Sequence, residues 1–193
     1  MRFAAISVIA ATSACAPRLY TEAGLNPQTW VAPENSWPLS EPPAALSAEG
    51  FAAGQVVPDL RLMDQHAAEV SLWQFHGRIV ALDISTMWCA PCQELASGTE
   101  ETTHQFAGED FVYLTVLQED VESEAPDLED LTLWAEEFGI TSPILADGEK
   151  HTGPAIQQGQ FPAVLLIGRD LRVIERVNPA DDPSVRAAVA DAL

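Results

Sequence analysis

Basic side chains are scarce in this chain of 193 residues. It has 9 Lys and Arg against 29 Asp and Glu, which gives a formal net charge of −20. Because nucleic-acid binding needs a basic face that neutralises phosphates, this balance argues against a nucleic-acid partner. Much of the acid lies between residues 119 and 137, and we interpret it as a solvated surface that aids solubility. A basic partner protein is the alternative interpretation of the same residues.

Long apolar runs are absent beyond the N-terminus, so the body of the chain is not expected to span a membrane. The N-terminus has Arg2, an apolar stretch over residues 3–11 and small residues before Cys15. This order is typical of a secretory signal peptide. Small residues followed by Cys also resemble a bacterial lipoprotein cleavage site, so we expect Cys15 to carry a lipid anchor. The alternative is that Cys15 is incidental and leaves with the discarded peptide.

Cysteine and histidine are too few and too scattered to predict a zinc centre. Apart from Cys15 the chain has only Cys89 and Cys92, and its four histidines show no ligand spacing. A structural zinc site needs four ligands, so no metal site is predicted. An inert structural disulfide is also disfavoured, because closing so short a loop removes little entropy from the unfolded chain. With Cys15 acylated, Cys89 and Cys92 are left as a pair with no odd thiol.

The most informative motif is Trp88-Cys89-Ala90-Pro91-Cys92. The apolar run over residues 79–84 predicts a buried strand before it, and residues 92–106 predict a helix after it. Two cysteines three positions apart face each other across one helical turn, where they can exchange two electrons as a dithiol and a disulfide. The start of a helix favours a thiolate, so this position suits redox chemistry.

Three segments are expected along the chain. Residues 1–15 form the signal peptide, residues 16–55 a proline-rich tether, and residues 56–193 one globular domain. Tryptophan is unusual in a tether, and we expect Trp30 and Trp37 to pack on the domain.

The pattern within the domain predicts a mixed α/β sheet with helices on both faces. Two short strands form an opening hairpin, two longer apolar strands are central, and a second hairpin precedes the last helix. The predicted strands span residues 60–63, 69–72, 79–84, 111–117, 144–146, 163–167 and 171–176. The predicted helices after the first span residues 127–138, ending at Gly139, and 183–193, capped by Asp182 with Pro183 at the first position.

The chain resembles the thioredoxin superfamily over about residues 55–193, and is most similar to its exported TlpA/ResA-type branch. The resemblance rests on the Trp88–Cys92 motif, on Gln160-Phe161-Pro162-Ala163 before an apolar strand, and on Val57-Pro58-Asp59-Leu60 with the hairpin that follows. It implies an α/β thioredoxin fold, a mixed central sheet flanked by helices. It also implies an extra N-terminal β-hairpin and a helical insertion near residues 119–138.

The resemblance also implies roles for individual residues. Cys89 is expected to attack, Cys92 to resolve, and Pro162 to be a cis-proline beside which a substrate strand pairs. Phe161 stands where thioredoxins often carry Thr, and it is expected to touch the active disulfide. The residues expected to contact substrate are Trp88, Pro91, Phe161 and Pro162.

Asp83 lies inside the apolar strand before the motif, at the position of a buried aspartate in thioredoxin. The resemblance implies that it accepts a proton during exchange. Burial should raise its pKa toward neutrality, where a carboxylate serves as a general base. The alternative is a carboxylate that only binds a neighbouring backbone group.

These observations predict a thiol–disulfide oxidoreductase of the bacterial periplasm or cell envelope that acts on protein disulfides, as a reductase rather than an oxidase. No organic cofactor is expected, because the two sulfurs carry the electrons. We expect a monomer that needs an upstream redox partner and is held at the membrane by its lipid anchor.

Two alternatives remain from the sequence. The first is a peroxiredoxin-like thiol peroxidase, which the Pro58-Asp59-Leu60 opening also resembles. Thr86 three positions before Cys89 fits its pattern, but Asp83 stands where a Pro is expected and the Trp88–Cys92 motif argues against it. The second is a Sco-like copper-binding protein, for which two thiolates and a histidine would be suitable ligands. His151 is the candidate histidine, and the cis-proline would crowd a metal.

Overall fold

A computed structural model describes residues 29–157 and 159–193. The predicted signal peptide, Cys15 and the first part of the tether lie outside the described residues. Within them, no helix is both long enough and apolar enough to cross a bilayer.

The described chain forms one seven-stranded sheet with three α-helices. The strands are β1 Arg61–Asp64, β2 Glu69–Ser71, β3 Ile79–Ser85, β4 Phe111–Leu117, β5 Ile144–Ala146, β6 Ala163–Ile167 and β7 Val173–Val177. The helices are α1 Ala90–Gln105, α2 Leu128–Phe138 and α3 Asp182–Ala192. The strand order is β2-β1-β5-β4-β3-β6-β7, which places the two longest strands near the centre.

The central strands are β3 and β4, and every residue of both is buried. They pair in parallel, while β3 pairs antiparallel with β6 on its other edge. Near-continuous apolar runs form such strands because both faces of the sheet are covered. The carboxyl ends of β3 and β4 lie side by side, with Ser85 opposite Leu117. The loops that follow these two strands therefore meet at one edge, which is where the dithiol motif begins.

The three α-helices pack on one face of the sheet, which corrects the prediction of helices on both faces. Side chains alternate along a strand, so Ile79 and Ala81 share one face of β3. They pack with Leu95 of α1 and Val185 of α3. On the same face, Leu131 of α2 packs in one apolar cluster with Ala96 of α1 and Leu117 of β4.

The opposite face of the sheet is covered by chain without α-helix. On this face Val80, Leu82 and Ile84 of β3 are buried against the 3-10 helix Leu72–Gln74 and against the segment that leads into β1. All three predicted helices are present, but none of them packs on this second face.

Residues 29–55, the described part of the predicted tether, lie against this second face. Trp30 and Trp37 are partly buried on it, as expected. The Trp30 indole donates a hydrogen bond to the Ser71 hydroxyl at 2.9 Å, and the Trp37 indole donates one to the Asp64 carboxylate at 2.5 Å. This segment therefore contributes to the apolar core in addition to linking the domain to the N-terminus.

Helix ends differ from the sequence prediction by one or two residues. In α3 the N-cap is Asp181, not Asp182, because the Asp181 carboxylate accepts the Ser184 amide hydrogen at 2.9 Å. Asp182 is instead the first helical residue and contacts Thr102 of α1. At α2 the predicted end at Gly139 is confirmed, and this glycine has a left-handed backbone with φ of 66°.

Candidate active site

The dithiol lies at the point where the chain turns from β3 into α1. Cys89 is the N-cap of α1, and its sulfur accepts the amide hydrogen of Cys92 at 3.3 Å. Pro91 is tolerated in the first turn because the amides there have no helical acceptor. The two cysteines form a disulfide with their Cα atoms 5.2 Å apart. α1 therefore directs its N-terminal partial positive charge at the sulfur of Cys89.

The two sulfurs differ in access. Cys89 is 5% exposed, and Cys92 is completely buried against Ala96 and Leu117. A disulfide substrate approaching from solvent therefore meets Cys89 first. This asymmetry is what an attacking thiol and a resolving thiol require.

A second loop holds the dithiol motif in place. The Met87 amide donates to the carbonyl of Glu119, in the loop after β4, at 2.9 Å. The Gln93 side chain donates back to the Met87 carbonyl at 2.7 Å. Hydrogen bonds from both sides thus fix the backbone that precedes Cys89.

Trp88 forms an exposed wall of the site, and its indole ring is held in place by a hydrogen bond and by a ring contact. Its indole N–H donates to the Glu119 carboxylate at 2.7 Å, and its ring meets Phe161 edge to face at 6.1 Å between centroids. Glu119 also pairs with Lys150. The Lys150 ammonium, followed by the Trp88 indole, holds the pKa of Glu119 below its usual value against the effect of burial. The carboxylate is therefore charged and accepts from both groups at neutral pH.

The cleft beside Cys89 has a volume of about 630 Å³, and we call it the active-site cleft. Three segments line it: the dithiol motif, the loop before β6, and the end of β7 with the residues that follow. The described lining residues are Trp88, Cys89, Ala90, Pro91, Gln157, Gly159, Gln160, Phe161, Pro162, Ala163, Arg176, Val177, Asn178, Pro179 and Ala180. The structure thus brings all four predicted substrate-contacting residues to the cleft that contains Cys89.

The cleft contains two cis peptide bonds. The bond between Phe161 and Pro162 is cis, the configuration that the resemblance implies, and so is the bond between Asn178 and Pro179. The second was not expected, because the sequence around it carries no cue beyond the proline itself.

Asp83 is completely buried on β3. By strand alternation its side chain lies on the same face as Ala81, the face covered by α1 and α3. The Ser85 hydroxyl donates to its Oδ1 at 2.7 Å, and its Oδ2 has no hydrogen-bond partner in the described structure. Burial, only partly offset by Ser85, raises the pKa of Asp83 to about 7. A carboxyl group with this pKa can gain or lose a proton at neutral pH.

No metal cluster is visible in the part of the chain that the structure describes, where no group of three His, Cys, Asp or Glu side chains converges. His151, the histidine of the copper alternative, follows β5, and its amide donates to the Asp147 carboxylate at 2.8 Å. Metal analysis of the purified protein tests the copper alternative.

A family assignment follows from comparison with known proteins. Residues 53–175, more than half of the chain, match the AhpC/TSA family. The chain belongs to the AhpC/TSA family. The matched span begins just before β1, ends within β7 and contains both cysteines of the motif.

A curated relative and two solved structures are similar to this AhpC/TSA member. Thiol-disulfide oxidoreductase ResA of Geobacillus thermodenitrificans is 27% identical over 124 residues, which are 63% of this chain and 67% of that relative. A crystal structure of a thiol:disulfide interchange protein of the thioredoxin family from Chlorobium tepidum has a TM-score of 0.58 at 15% identity, covering 69% of this chain and 92% of that one. A crystal structure of a secreted thiol-disulfide isomerase from Corynebacterium glutamicum has a TM-score of 0.60 at 16% identity, covering 72% and 84%.

These comparisons confirm the predicted thioredoxin fold and the predicted likeness to ResA-type proteins. Together with the Cys89–Cys92 disulfide, they identify the chain as a thiol–disulfide oxidoreductase. The sequence analysis did not find Glu119 or Arg176 at the site. Glu119 was noted only as part of an acidic region, and its position directly after an apolar strand, like that of the dithiol motif, is the signal that could have identified it.

Proposed function

We propose that this protein reduces disulfide bonds in protein substrates of the cell envelope, with Cys89 as the attacking thiol and Cys92 as the resolving thiol. The observation that carries the proposal is the difference in access within one redox pair. Cys89 borders the open cleft at the helix N-cap, while Cys92 is sealed beneath it.

The reaction proceeds in two exchanges. The Cys89 thiolate attacks one sulfur of the substrate disulfide, which forms a mixed disulfide and releases the other substrate sulfur as a thiolate. The Cys92 thiolate then attacks the Cys89 sulfur, which closes the Cys89–Cys92 disulfide and releases the second substrate sulfur. Two electrons pass from the dithiol to the substrate, so no organic cofactor is needed.

Asp83 is proposed as the group that removes the proton from Cys92 before the second exchange. The carboxyl group has a pKa of about 7 and an oxygen without a protein partner, on the sheet face covered by the helix that carries Cys92. A base with this pKa is half ionised at neutral pH and can pass the proton on to solvent between turnovers.

Trp88, Phe161 and Pro162 are proposed to hold the substrate segment against Cys89. Trp88 and Phe161 make the apolar walls of the active-site cleft. Pro91 lines the same cleft, in the first turn of α1.

The envelope location is supported by the signal-like N-terminus and by a structural neighbour described as secreted. We propose a lipid anchor on Cys15, a monomeric state, and an upstream donor that reduces the Cys89–Cys92 disulfide after each turnover. Metabolic labelling with a palmitate analogue tests the anchor, since a Cys15→Ser chain should take up no label.

Trapping the mixed disulfide tests the proposed function. A Cys92→Ser protein should accumulate a covalent complex with a disulfide-bonded peptide, and a reducing agent should release it. A Cys89→Ser protein should trap none, because its remaining thiol is buried. Equal trapping by both variants would contradict the assignment of roles.

The peroxiredoxin-like alternative is tested with the same protein preparation. Thr86 lies three residues before Cys89, and its carbonyl accepts the Cys89 amide hydrogen at 3.4 Å. A peroxidase predicts rapid, stoichiometric consumption of hydrogen peroxide by the reduced protein and slow reduction of peptide disulfides. The proposed reductase predicts the reverse order of rates.

A further inference from the structure

One cation lines the active-site cleft of a strongly acidic protein. Arg176 is the single charged residue among the described residues that line this cleft. Three amide side chains, those of Gln157, Gln160 and Asn178, supply the other long polar groups. The whole chain carries a net charge of −20, so a cation beside the reactive cysteine has a sign opposite to that of most of the surface.

Arg176 is not neutralised by a carboxylate within the described residues. Its guanidinium donates to the Ala155 carbonyl, which occupies one of its five N–H groups. Burial lowers the pKa of Arg176, and no acidic neighbour acts against that effect. Three other arginines, Arg61, Arg172 and Arg186, all have carboxylate partners. Arg176 therefore has guanidinium N–H groups that can donate to a ligand, and no described side chain balances its positive charge.

The position of Arg176 connects it to the substrate path. It lies opposite Leu165 in the β6–β7 pair, and β6 begins directly after Pro162. Two residues later the chain reaches Asn178 and Pro179, which also line the cleft. Arg176 thus borders the surface along which a segment held beside Phe161 would extend.

We propose that Arg176 binds a carboxylate of the substrate, and that disulfides flanked by Asp or Glu, or by a free C-terminus, are the preferred substrates. This inference rests on the proposed function, because it names the substrate class of the same site. A guanidinium suits the task because its planar fork matches the two oxygens of a carboxylate. The half-buried position strengthens the contact relative to an open surface.

Long-range repulsion acts against this preference. The net charge opposes any acidic peptide, although salt near 0.15 M screens charges beyond about 8 Å. A direct contact with Arg176 is shorter than this distance and should survive. The test therefore needs a control variant that changes the net charge equally without touching the cleft.

The experiment compares two disulfide-bonded peptides that differ only in Asp and Glu against Asn and Gln beside the cysteines. The ratio of their kcat/KM values is measured at 0.15 M salt for wild type, Arg176→Gln, Arg176→Lys and Arg169→Gln. Arg169 is the matched control, because it is exposed and lies beyond the far end of β6 from Pro162. Reduction of bis(2-hydroxyethyl) disulfide, a small neutral probe, by wild type tests the proposed function separately.

Wild type and Arg169→Gln should prefer the acidic peptide by about fivefold, the size of one favourable ion contact at a partly exposed site. Arg176→Gln should lose this preference, and Arg176→Lys should keep part of it. Because the ratio is taken on one preparation, a lower folded fraction does not change it. Equal ratios for wild type and Arg176→Gln would overturn the inference while leaving the proposed function intact. If wild type reduced neither the neutral probe nor the peptides, the proposed function would fail first.

Discussion

Replacing Asp83 with Asn should change how stability depends on pH. In the folded protein burial raises the pKa of Asp83 from 3.8 to about 7, so the folded state binds a proton there more tightly than the unfolded chain. The folded state therefore holds more protons between about pH 4 and pH 7. In this window the free energy of unfolding falls as pH rises, because the ionised carboxylate is buried without a full set of partners.

The size of the effect follows from the two pKa values. A change of one pKa unit corresponds to 1.36 kcal/mol, so ionisation of Asp83 above pH 7 costs the folded state about 4 kcal/mol relative to its protonated form. Most of this loss, roughly 2–3 kcal/mol, falls between pH 5 and pH 8, and the rest occurs below pH 5. Asn keeps an acceptor for the Ser85 hydroxyl and has no such titration.

The assay is urea unfolding of the oxidised protein across this pH range, for wild type and Asp83→Asn. With the disulfide closed, Cys89 and Cys92 do not titrate. From pH 5 to pH 8 the unfolding free energy of wild type should fall by roughly 2–3 kcal/mol relative to that of Asp83→Asn. Any constant cost of burying the Asn amide appears at every pH and cancels in this comparison.

The control is Glu109→Gln, which removes an exposed carboxylate after α1 and so makes the same change in charge away from the core. A constant difference in unfolding free energy between wild type and Asp83→Asn from pH 5 to pH 8 would refute the assignment of a raised pKa.

The kinetic counterpart is slower release of a trapped mixed disulfide by Asp83→Asn at neutral pH, and an unchanged rate would remove Asp83 from the mechanism.

Three further changes test the structure around the site. Gly139→Ala should cost about 1 kcal/mol in thermal unfolding, because φ is 66° there and nothing else crowds a Cβ; an unchanged melting temperature would contradict it. Trp73→Phe should lower the unfolding free energy in urea by about 1–3 kcal/mol, because the buried indole donates to the Val57 carbonyl at 2.8 Å; a neutral result would mean that this bond contributes nothing. Glu119→Ala should slow peptide reduction about two- to fivefold by releasing the Trp88 indole, with a stability change below about 1 kcal/mol; full activity would show that Trp88 needs no such anchor.

Local patterns in the sequence were sufficient for most of the elements. The two apolar runs predicted β3 and β4 almost residue for residue, because a strand covered on both faces leaves little ambiguity. The dithiol motif was placed correctly at a strand-to-helix turn. The cap of α3 was misassigned by one residue because Asp181 and Asp182 are adjacent and equally suited to capping.

Contacts between distant segments could not be predicted in the same way. Glu119 reaches Trp88 only because β3 and β4 are parallel neighbours whose loops meet at one edge. Arg176 enters the cleft through the pairing of β7 with β6. Neither residue belongs to a local motif, so the fold had to be known before either could be connected to the dithiol.

The face on which each helix packs was also not encoded locally. The alternation of strands and helices suggested cover on both faces, whereas Trp30 and Trp37, from the predicted tether, cover the second face. The two tryptophans were expected to pack on the domain, but a short proline-rich segment gives no periodic signal, so the face that it covers could not be predicted.

The reduction potential of the Cys89–Cys92 couple tests the central claim most directly. The protein is equilibrated with glutathione redox buffers, free thiols are trapped, and the reduced fraction is plotted against potential. We predict that both thiols appear together in one two-electron transition near −270 mV, the value typical of a reductase such as thioredoxin. A transition near −120 to −180 mV would indicate an oxidase or isomerase, and the absence of any reversible two-electron transition would contradict the account altogether.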